Sequence, residues 1–290
     1  MKKLISALLA VCTLFGMTSA FALEKGDARA VIGADISSDQ KASVYKTFGV
    51  EEGNVAELTV TNDEEREYLD GLVDSSIIGT KSISCVYLEV LGDGDGLDIS
   101  VSNISWCTKE MYANALVTAG IDNAKLIVTS PVAGISGTAA LTGVYKAYED
   151  ITGEKLDEIA KLAGTQELVV TADLADQIGS YDAVTIVNEL KKVLSQTVNM
   201  TDDEVRAQIK QIAADNNIAV TDGQVDQLLS LCRSLEKLNP EQLKAKVEQM
   251  QETVKKLAAA QSKMKEISES LKQFFESVGK FFDKIFSKIG

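Results

Sequence analysis

Residues 125–149 read KLIVTSPVAGISGTAALTGVYKAYE, and this stretch contains both kinds of element from which the fold is built. Its first part, Lys125 to Pro131, is a short apolar run bounded by turn residues and predicts a buried strand. Its second part, Gly137 to Glu149, predicts a helix with small residues at helical spacing, namely Gly137, Ala140, Gly143 and Ala147. Small residues let a helix approach a sheet closely, so we expect this helix to pack against the strands.

The start of this helix raises the alternative of an anion site, because backbone N–H groups at a helix N-terminus can bind phosphate. However, residues 137–143 match neither the Walker pattern nor the dinucleotide-binding pattern of glycines. Close packing is therefore favoured over anion binding, and the sequence predicts no bound cofactor or metal.

The residues before this stretch alternate short strands with helices. Strands are predicted at 28–34, 55–61, 82–91 and 97–105, and helices from Ser37 or Ser38 to Gly49, from Asn62 to Leu72 and from Lys109 to Ala119. Thr108 is expected to cap the last of these helices, and Gly120 is expected to end it. This order predicts an α+β or α/β fold with a small mixed sheet, followed by a helical region and a long amphipathic C-terminal helix.

After residue 155 the pattern is helical almost throughout. A strand-like interruption from Glu167 to Thr171 is expected to add an edge to the sheet. Capping boxes at Thr201 and Thr221 mark helix starts, and three helices at 182–197, 202–216 and 222–238 predict a small bundle. The chain is divided into a signal peptide (1–22), a mixed α/β domain (23–180), a helical bundle (181–238) and a long amphipathic heptad helix (239–290).

The N-terminus has the pattern of a secretory signal peptide. Lys2 and Lys3 precede an apolar run from Leu4 to Met17, and Ala20-Phe-Ala22 offers a small-x-small cleavage site. We expect the mature chain to begin at Leu23 and to be secreted or held at the cell envelope. An uncleaved anchor is the less favoured alternative.

Charge and composition exclude several classes of function. The formal charge is −14, and removal of Lys2 and Lys3 with the signal lowers it to −16. A surface this acidic repels phosphate backbones, so nucleic acid is not an expected partner. Histidine is absent, which excludes Ser-His-Asp and Cys-His catalysis and histidine-ligated zinc. A non-enzymatic protein is therefore favoured.

The cysteines predict one disulfide. Cys85 and Cys107 flank a glycine-rich turn at 92–96, so a hairpin would place the two sulfur atoms opposite each other. The aspartates of this turn also suggest a calcium loop, but the EF-hand spacing is missing and a turn is favoured. Cys232 lies on the apolar stripe of a predicted helix and is expected to be a buried thiol.

The C-terminal part carries a long apolar repeat. Between Leu243 and Ile289 the steps alternate between four and three residues, with Gln261 and Ser268 as its polar members. This is a heptad repeat of the coiled-coil type. A continuous helix over 240–289 would be about 75 Å long, so we expect it to fold back, pair with another helix or project.

The end of this repeat is basic and rich in phenylalanine. Residues 262–290 contain six lysines and four acidic residues, which makes their charge +2. Helices of this composition contact lipid surfaces or partner helices. The residues expected to make the contact are Phe274, Phe275, Phe281, Phe282, Phe286, Lys280, Lys284 and Lys288. Packing on its own domain or on a second copy remains the alternative.

These patterns leave three functional hypotheses. The leading one is an exported non-enzymatic binding protein whose C-terminal helix contacts a membrane surface or a helical partner. The second is an envelope hydrolase that uses carboxylates, or Ser136 with Lys146. The third is a coiled-coil protein that forms oligomers through the heptad repeat.

The chain also resembles a known family. The segments that carry the resemblance begin at Asn103-Ile-Ser and include Tyr112-Ala-Asn-Ala-Leu-Val-Thr-Ala-Gly120, Ser136-Gly-Thr-Ala-Ala-Leu-Thr-Gly143 and Lys146-Ala-Tyr-Glu149. They are similar to those of the YpuA-like secreted proteins of Gram-positive bacteria, a family of unknown function. The resemblance covers most of residues 24–240. It implies export and supplies no catalytic residues, and the pair Cys85 and Cys107 is not part of the family pattern.

Overall fold

The computed structural model describes residues 27–73 and 75–250. The predicted signal peptide and the predicted contact residues between Phe274 and Lys288 lie outside these ranges. The strands are β1 (Ala28–Gly33), β2 (Ala56–Val60), β3 (Cys85–Val90), β4 (Leu97–Val101) and β5 (Ala124–Thr129). The helices are α1 (Ser38–Phe48), α2 (Asn62–Leu69), α3 (Ser75–Ile78), α4 (Lys109–Ala119), α5 (Thr138–Thr152), α6 (Glu158–Ile178), α7 (Ser180–Lys192), α8 (Leu194–Thr197), α9 (Asp202–Asp215) and α10 (Asp222–Leu235). Residues 240–250 are helical too and are called α11.

The five strands form one mixed sheet in the order β2-β1-β3-β5-β4. The outer pairs β1–β2 and β4–β5 are parallel, and β3 runs antiparallel to both of its neighbours. A sheet of this kind, followed by consecutive helices, has the α+β class that the sequence predicts.

Helices cover both faces of the sheet. On one face α1 packs through Val44, Tyr45 and Phe48. On the other face α4 and α5 cover the central strands. A Cβ atom added at Gly143 of α5 would lie 3.3 Å from the Cγ1 atom of Val31 on β1. The predicted close packing of this small-residue helix is therefore confirmed.

Local signals define the helix ends as predicted. Thr108 accepts a hydrogen bond from the backbone N–H of Met111 at the start of α4, and Gly120 ends this helix with a φ of 95°. Thr201 and Thr221 both form capping boxes, at the starts of α9 and α10. These caps satisfy backbone groups that a helix end leaves without partners.

Helix α6 joins two hydrophobic cores. Its residues Leu168 and Ala172 belong to the core beside the sheet, while Val170 and Leu174 belong to a second core formed with α7, α9 and α10. The prediction of a strand from Glu167 to Thr171 is wrong, because these residues lie inside this 21-residue helix. Packing against both cores outweighs the strand preference of the two valines.

The prediction of a hairpin that brings Cys85 and Cys107 together is wrong, and both cysteines are free thiols in the structure. Strand β5 lies between β3 and β4, so the two strands that the glycine turn connects are not neighbours. Cys85 faces the α1 side of the sheet, and Cys107 belongs to the core on the opposite side. Cys232 is a buried free thiol, as expected.

The beginning of the heptad repeat packs on the molecule itself. Leu243 and Val247 of α11 are buried, and Lys246 forms an ion pair of 2.8 Å with Asp122, which follows α4. At these positions the repeat folds back onto its own domain, one of the three arrangements expected for it.

Candidate functional site

A groove of about 340 Å³ lies between α6 and α10 on one side and the α2–α3 segment on the other. Its walls come from four separate parts of the chain. The lining residues are Gly71, Leu72, Val73, Ile77, Trp106, Gln166, Val169, Val170, Asp173, Gln227 and Ser230. We call this feature the groove, and it is the candidate binding site of the molecule.

The floor of the groove is apolar. Val169 of α6 is buried against Leu69 and Ile78, and Trp106 packs against the same cluster. Leu72 remains 39% exposed on the opposite wall. Apolar side chains that line a concave surface are typical of binding sites.

The polar side chains around the groove bond to one another. Helix α10 runs antiparallel to α6. The Nε2 atom of Gln227 donates to Asp173 at 2.6 Å, and that of Gln166 donates to Ser230 at 3.1 Å. The indole N–H of Trp106 donates to Asp176 at 2.9 Å. These bonds hold the walls in place and leave the apolar floor as the surface that a ligand would cover.

The apolar surface continues from the groove along α6. Ile159 and Leu162 are 48% and 47% exposed, and both precede Gln166 on one helix face. One step of three residues leads from Ile159 to Leu162, and two steps of four lead on to Gln166 and the groove residue Val170. From Ile159 to Asp173 this stripe is about 21 Å long, at ~1.5 Å per residue.

The groove and its surroundings are acidic. None of the groove residues among the described ranges is lysine or arginine, while Asp173 lines it and Asp176 lies at its edge. The sequence between 27 and 250 contains 18 basic and 37 acidic residues, a charge of −19. Residues 251–290 contain eight basic and five acidic residues, a charge of +3. The folded part and the C-terminal segment thus carry opposite charge.

Below the groove, α2 buries a carboxyl group. Glu65 is 1% exposed and lies one turn before Leu69. Its carboxylate accepts a hydrogen bond from Thr138 at 2.5 Å and a longer one from Asn62. Burial raises the pKa of Glu65 to about 7, although both hydrogen bonds and Arg66 oppose the shift. This group therefore titrates near neutral pH.

Glu65 has a buried thiol and a buried phenol as neighbours. Tyr112 donates a hydrogen bond of 2.6 Å to the carbonyl oxygen of Gly137, just before α5. Burial raises the pKa of the Cys107 thiol to about 12. A thiol with this pKa is protonated at neutral pH and is a poor nucleophile.

A second buried carboxylate has a cation beside it. Glu167 of α6 and Lys191 of α7 are both 0% exposed, and their charged atoms are 2.5 Å apart. Thr118 of α4 donates to Glu167, and Lys191 donates to the carbonyl oxygen of Asn114. Burial lowers the pKa of Lys191, against the pull of Glu167. This pair connects three helices in the interior.

Several amide and hydroxyl groups near this pair have no hydrogen-bond partner among the described residues. They include both side-chain polar atoms of Asn114 and the Oδ1 atom of Asn188. Asn114 and Thr118 belong to the segment 112–120, and Thr138 belongs to 136–143. Two of the segments that carry the family resemblance thus place polar side chains in the interior.

The Ser136–Lys146 pair, an example given for the hydrolase hypothesis, is not formed. The Nζ atom of Lys146 lies 2.5 Å from Glu64 and donates to the carbonyl oxygen of Thr59. The hydroxyl of Ser136 contacts Thr138 at 3.3 Å. The lysine of this pair is therefore held by other groups.

The glycine-rich loop forms a turn in which the carboxylate of Asp95 accepts from the backbone N–H of Gly92 at 3.1 Å. Within residues 27–73 and 75–250, no three acidic or cysteine residues are grouped as a metal site would require. In the same ranges, no helix has both the length and the apolar character that a bilayer crossing requires.

The groove is not evident from the sequence. Trp106, beside Cys107, has the sequence context of a core aromatic residue, and no motif marks the other wall residues. The available signal was the second apolar stripe of α6, from Ile159 through Leu162 to Val170, on a helix that already has a core face.

Comparison with known proteins agrees with the resemblance described above. Residues 32–257 match the family described as Protein of unknown function (DUF1002). The chain is 38% identical over 240 residues to the Uncharacterized protein YpuA of Bacillus subtilis (strain 168). The aligned region covers 81% of this chain and 82% of that protein. No solved structure matches the chain at a significant level. The predicted resemblance is confirmed, and the chain belongs to the DUF1002 family.

Proposed function

We propose that this protein is an exported, non-enzymatic protein of the cell envelope, and that its C-terminal segment binds it to an anionic membrane surface. The observation that supports this most directly is the docking of α11. Leu243 and Val247 are buried in the protein's own core, so the start of the heptad repeat is fixed to the domain, and the basic segment 262–290 follows α11 in the sequence after residues 251–261.

The charges support a membrane as the partner. The folded part, at −19, is repelled by anionic lipid, whereas 262–290 is attracted by its lysines. Five phenylalanines in this segment supply the apolar surface that enters the lipid interface. The segment would thus hold an acidic domain at the membrane without inserting that domain.

The docking of α11 also argues against self-association through the entire heptad repeat. A coiled coil requires an apolar surface that is available to a second helix. Leu243 and Val247 are not available, because they are buried in the folded part.

A charge-reversal variant of the mature full-length chain tests the proposal. Lys280, Lys284 and Lys288 are changed to Glu together, and binding is measured by sedimentation with vesicles of 30% phosphatidylglycerol in phosphatidylcholine. We expect binding to fall by more than about tenfold, since each lysine near an anionic surface contributes ~1 kcal/mol.

The matched control makes the same change of charge on the folded part. Lys109, Lys155 and Lys210 are exposed there and are changed to Glu together. This control should retain most of the binding. Equal binding by the C-terminal variant and the unmodified chain would contradict the proposal.

A further inference from the structure

We propose that the groove is a docking site for residues 262–290 of the same chain, and that anionic membrane competes with the groove for this segment. The competition rests on the proposed function, whereas the docking itself stands on the shape, composition and charge of the groove.

Large apolar side chains are exposed on α6 and on the wall of the groove. Ile159 and Leu162 are 48% and 47% exposed and Leu72 is 39% exposed, so the described part of the chain covers only about half of each. Exposed apolar side chains beside an apolar groove are typical of an interaction site. An amphipathic segment with apolar anchors at steps of three and four residues fits such a groove.

The groove and the C-terminal segment have complementary charges. The groove has Asp173 in its lining and Asp176 at its edge, and its described lining contains no cation. Residues 262–290 combine a net positive charge with five phenylalanines. Phenylalanine on the floor and lysine at the acidic edge would satisfy both features of the groove.

The described chain ends near the exposed part of α6. Lys246 of α11 is paired with Asp122, directly after the C-terminal end of α4. A Cβ atom added at Gly164 would lie 3.5 Å from the Cβ atom of Ala119, so the same end of α4 lies beside the N-terminal half of α6. The last described residues of the chain therefore lie near the end of α6 where Ile159 and Leu162 are exposed.

The connection is long enough. Eleven residues, 251–261, lie in the sequence between the last described residue, 250, and the basic segment. They span up to about 36 Å when extended and about 17 Å as a helix. Either length is comparable to the ~21 Å of the stripe along α6.

The test uses Trp106, which is the single tryptophan of the chain and lines the groove. Acrylamide quenching of its fluorescence is measured on the mature full-length chain. A variant in which Phe274, Phe275, Phe281 and Phe282 become serine should undock the segment. The quenching constant should then rise about twofold or more as the undocked population becomes dominant.

A second variant changes the groove and leaves the segment intact. Ile159→Ser with Leu162→Ser removes exposed contacts away from Trp106, and it should also raise the quenching constant. Val132→Ser with Val198→Ser removes two equally exposed apolar side chains elsewhere and should not. Unchanged quenching in the phenylalanine variant would overturn the docking. Quenching that depends on protein concentration would also overturn it, and would assign the groove to a second copy.

Vesicle binding separates this inference from the proposed function. Ile159→Ser with Leu162→Ser frees the segment, so docking predicts that this variant binds anionic vesicles more tightly than the unmodified chain. If the phenylalanine variant raises quenching while the unmodified chain and both variants fail to bind vesicles, the membrane proposal fails and the docking stands. If quenching is unaffected by both variants while vesicles are bound, the docking fails and the membrane proposal stands.

Discussion

The two faces of α6 differ in how completely the described chain covers them. The face toward α4 and α7 is closed: it contains the Glu167–Lys191 pair, and at Gly164 a Cβ atom would come within 2.7 Å of the carbonyl oxygen of Ala115. The opposite face exposes Ile159 and Leu162 and continues into the groove. The closed face stabilises the fold, and the open face is the surface that we propose for binding. Substitutions should therefore separate stability from binding.

The largest expected effect is at Lys191. Changing it to Met leaves Glu167 buried without its cation, which should lower the free energy of unfolding by about 3–5 kcal/mol. Urea denaturation measures the loss. The double variant Lys191→Met with Glu167→Leu should recover most of it, because both charges are then removed. A loss below about 1 kcal/mol would show that this face is not closed to water.

Glu65 should give a pH-dependent effect of up to about 3 kcal/mol. With a pKa of about 7 in the folded state against 4.5 ordinarily, Glu65 keeps a proton that the unfolded chain releases. Stability is therefore expected to fall as the pH rises from 4.5 to 7 and to stay lowered above that.

The variant Glu65→Gln isolates this effect. It should lose this part of the pH dependence and be more stable than the unmodified chain at pH 8, as measured by urea denaturation at pH 5 and pH 8. Exposed Glu110→Gln serves as the control. The same pH dependence in Glu65→Gln and the unmodified chain would show that Glu65 is ionised in the folded state.

Gly164→Ala tests the close contact on the closed face. The added methyl group meets the backbone of Ala115, so we expect a loss of about 1–3 kcal/mol in the free energy of unfolding. Gly223→Ala in α10 is the matched control, since nothing lies within 4 Å of the added atom. The control should gain about 0.5–1 kcal/mol from helix propensity. If Gly164→Ala and Gly223→Ala changed the free energy of unfolding in the same direction, the close contact at Gly164 would not be the cause of the loss.

The smallest expected effect on stability is on the open face. Ile159→Ser with Leu162→Ser should change the free energy of unfolding by no more than about 0.5 kcal/mol per site, since both side chains are largely exposed. Thermal unfolding monitored by circular dichroism measures this. A much larger loss would show that these residues belong to the core rather than to a binding surface.

Signals contained within a few residues were predictable from the sequence. The caps at Thr108, Thr201 and Thr221 and the helix end at Gly120 are all found where expected. Each depends on a side chain and a backbone group within one helical turn, so no information from distant residues is needed.

Features that join distant segments were not predictable in the same way. The glycine turn at 92–96 suggested that β3 pairs with β4, yet β5 is inserted between them from a later part of the chain. The stretch from Glu167 to Thr171 has strand propensity, but its neighbours in both cores stabilise a helix. The groove draws on four separate segments, so no single window contains its composition.

Acrylamide quenching of Trp106 in the unmodified mature chain, measured during a titration with phosphatidylglycerol vesicles, decides whether the membrane and the groove compete for residues 262–290. We predict that the quenching constant rises as the protein binds, because the membrane draws residues 262–290 out of the groove. Vesicle binding without any change in the quenching of Trp106 would contradict it.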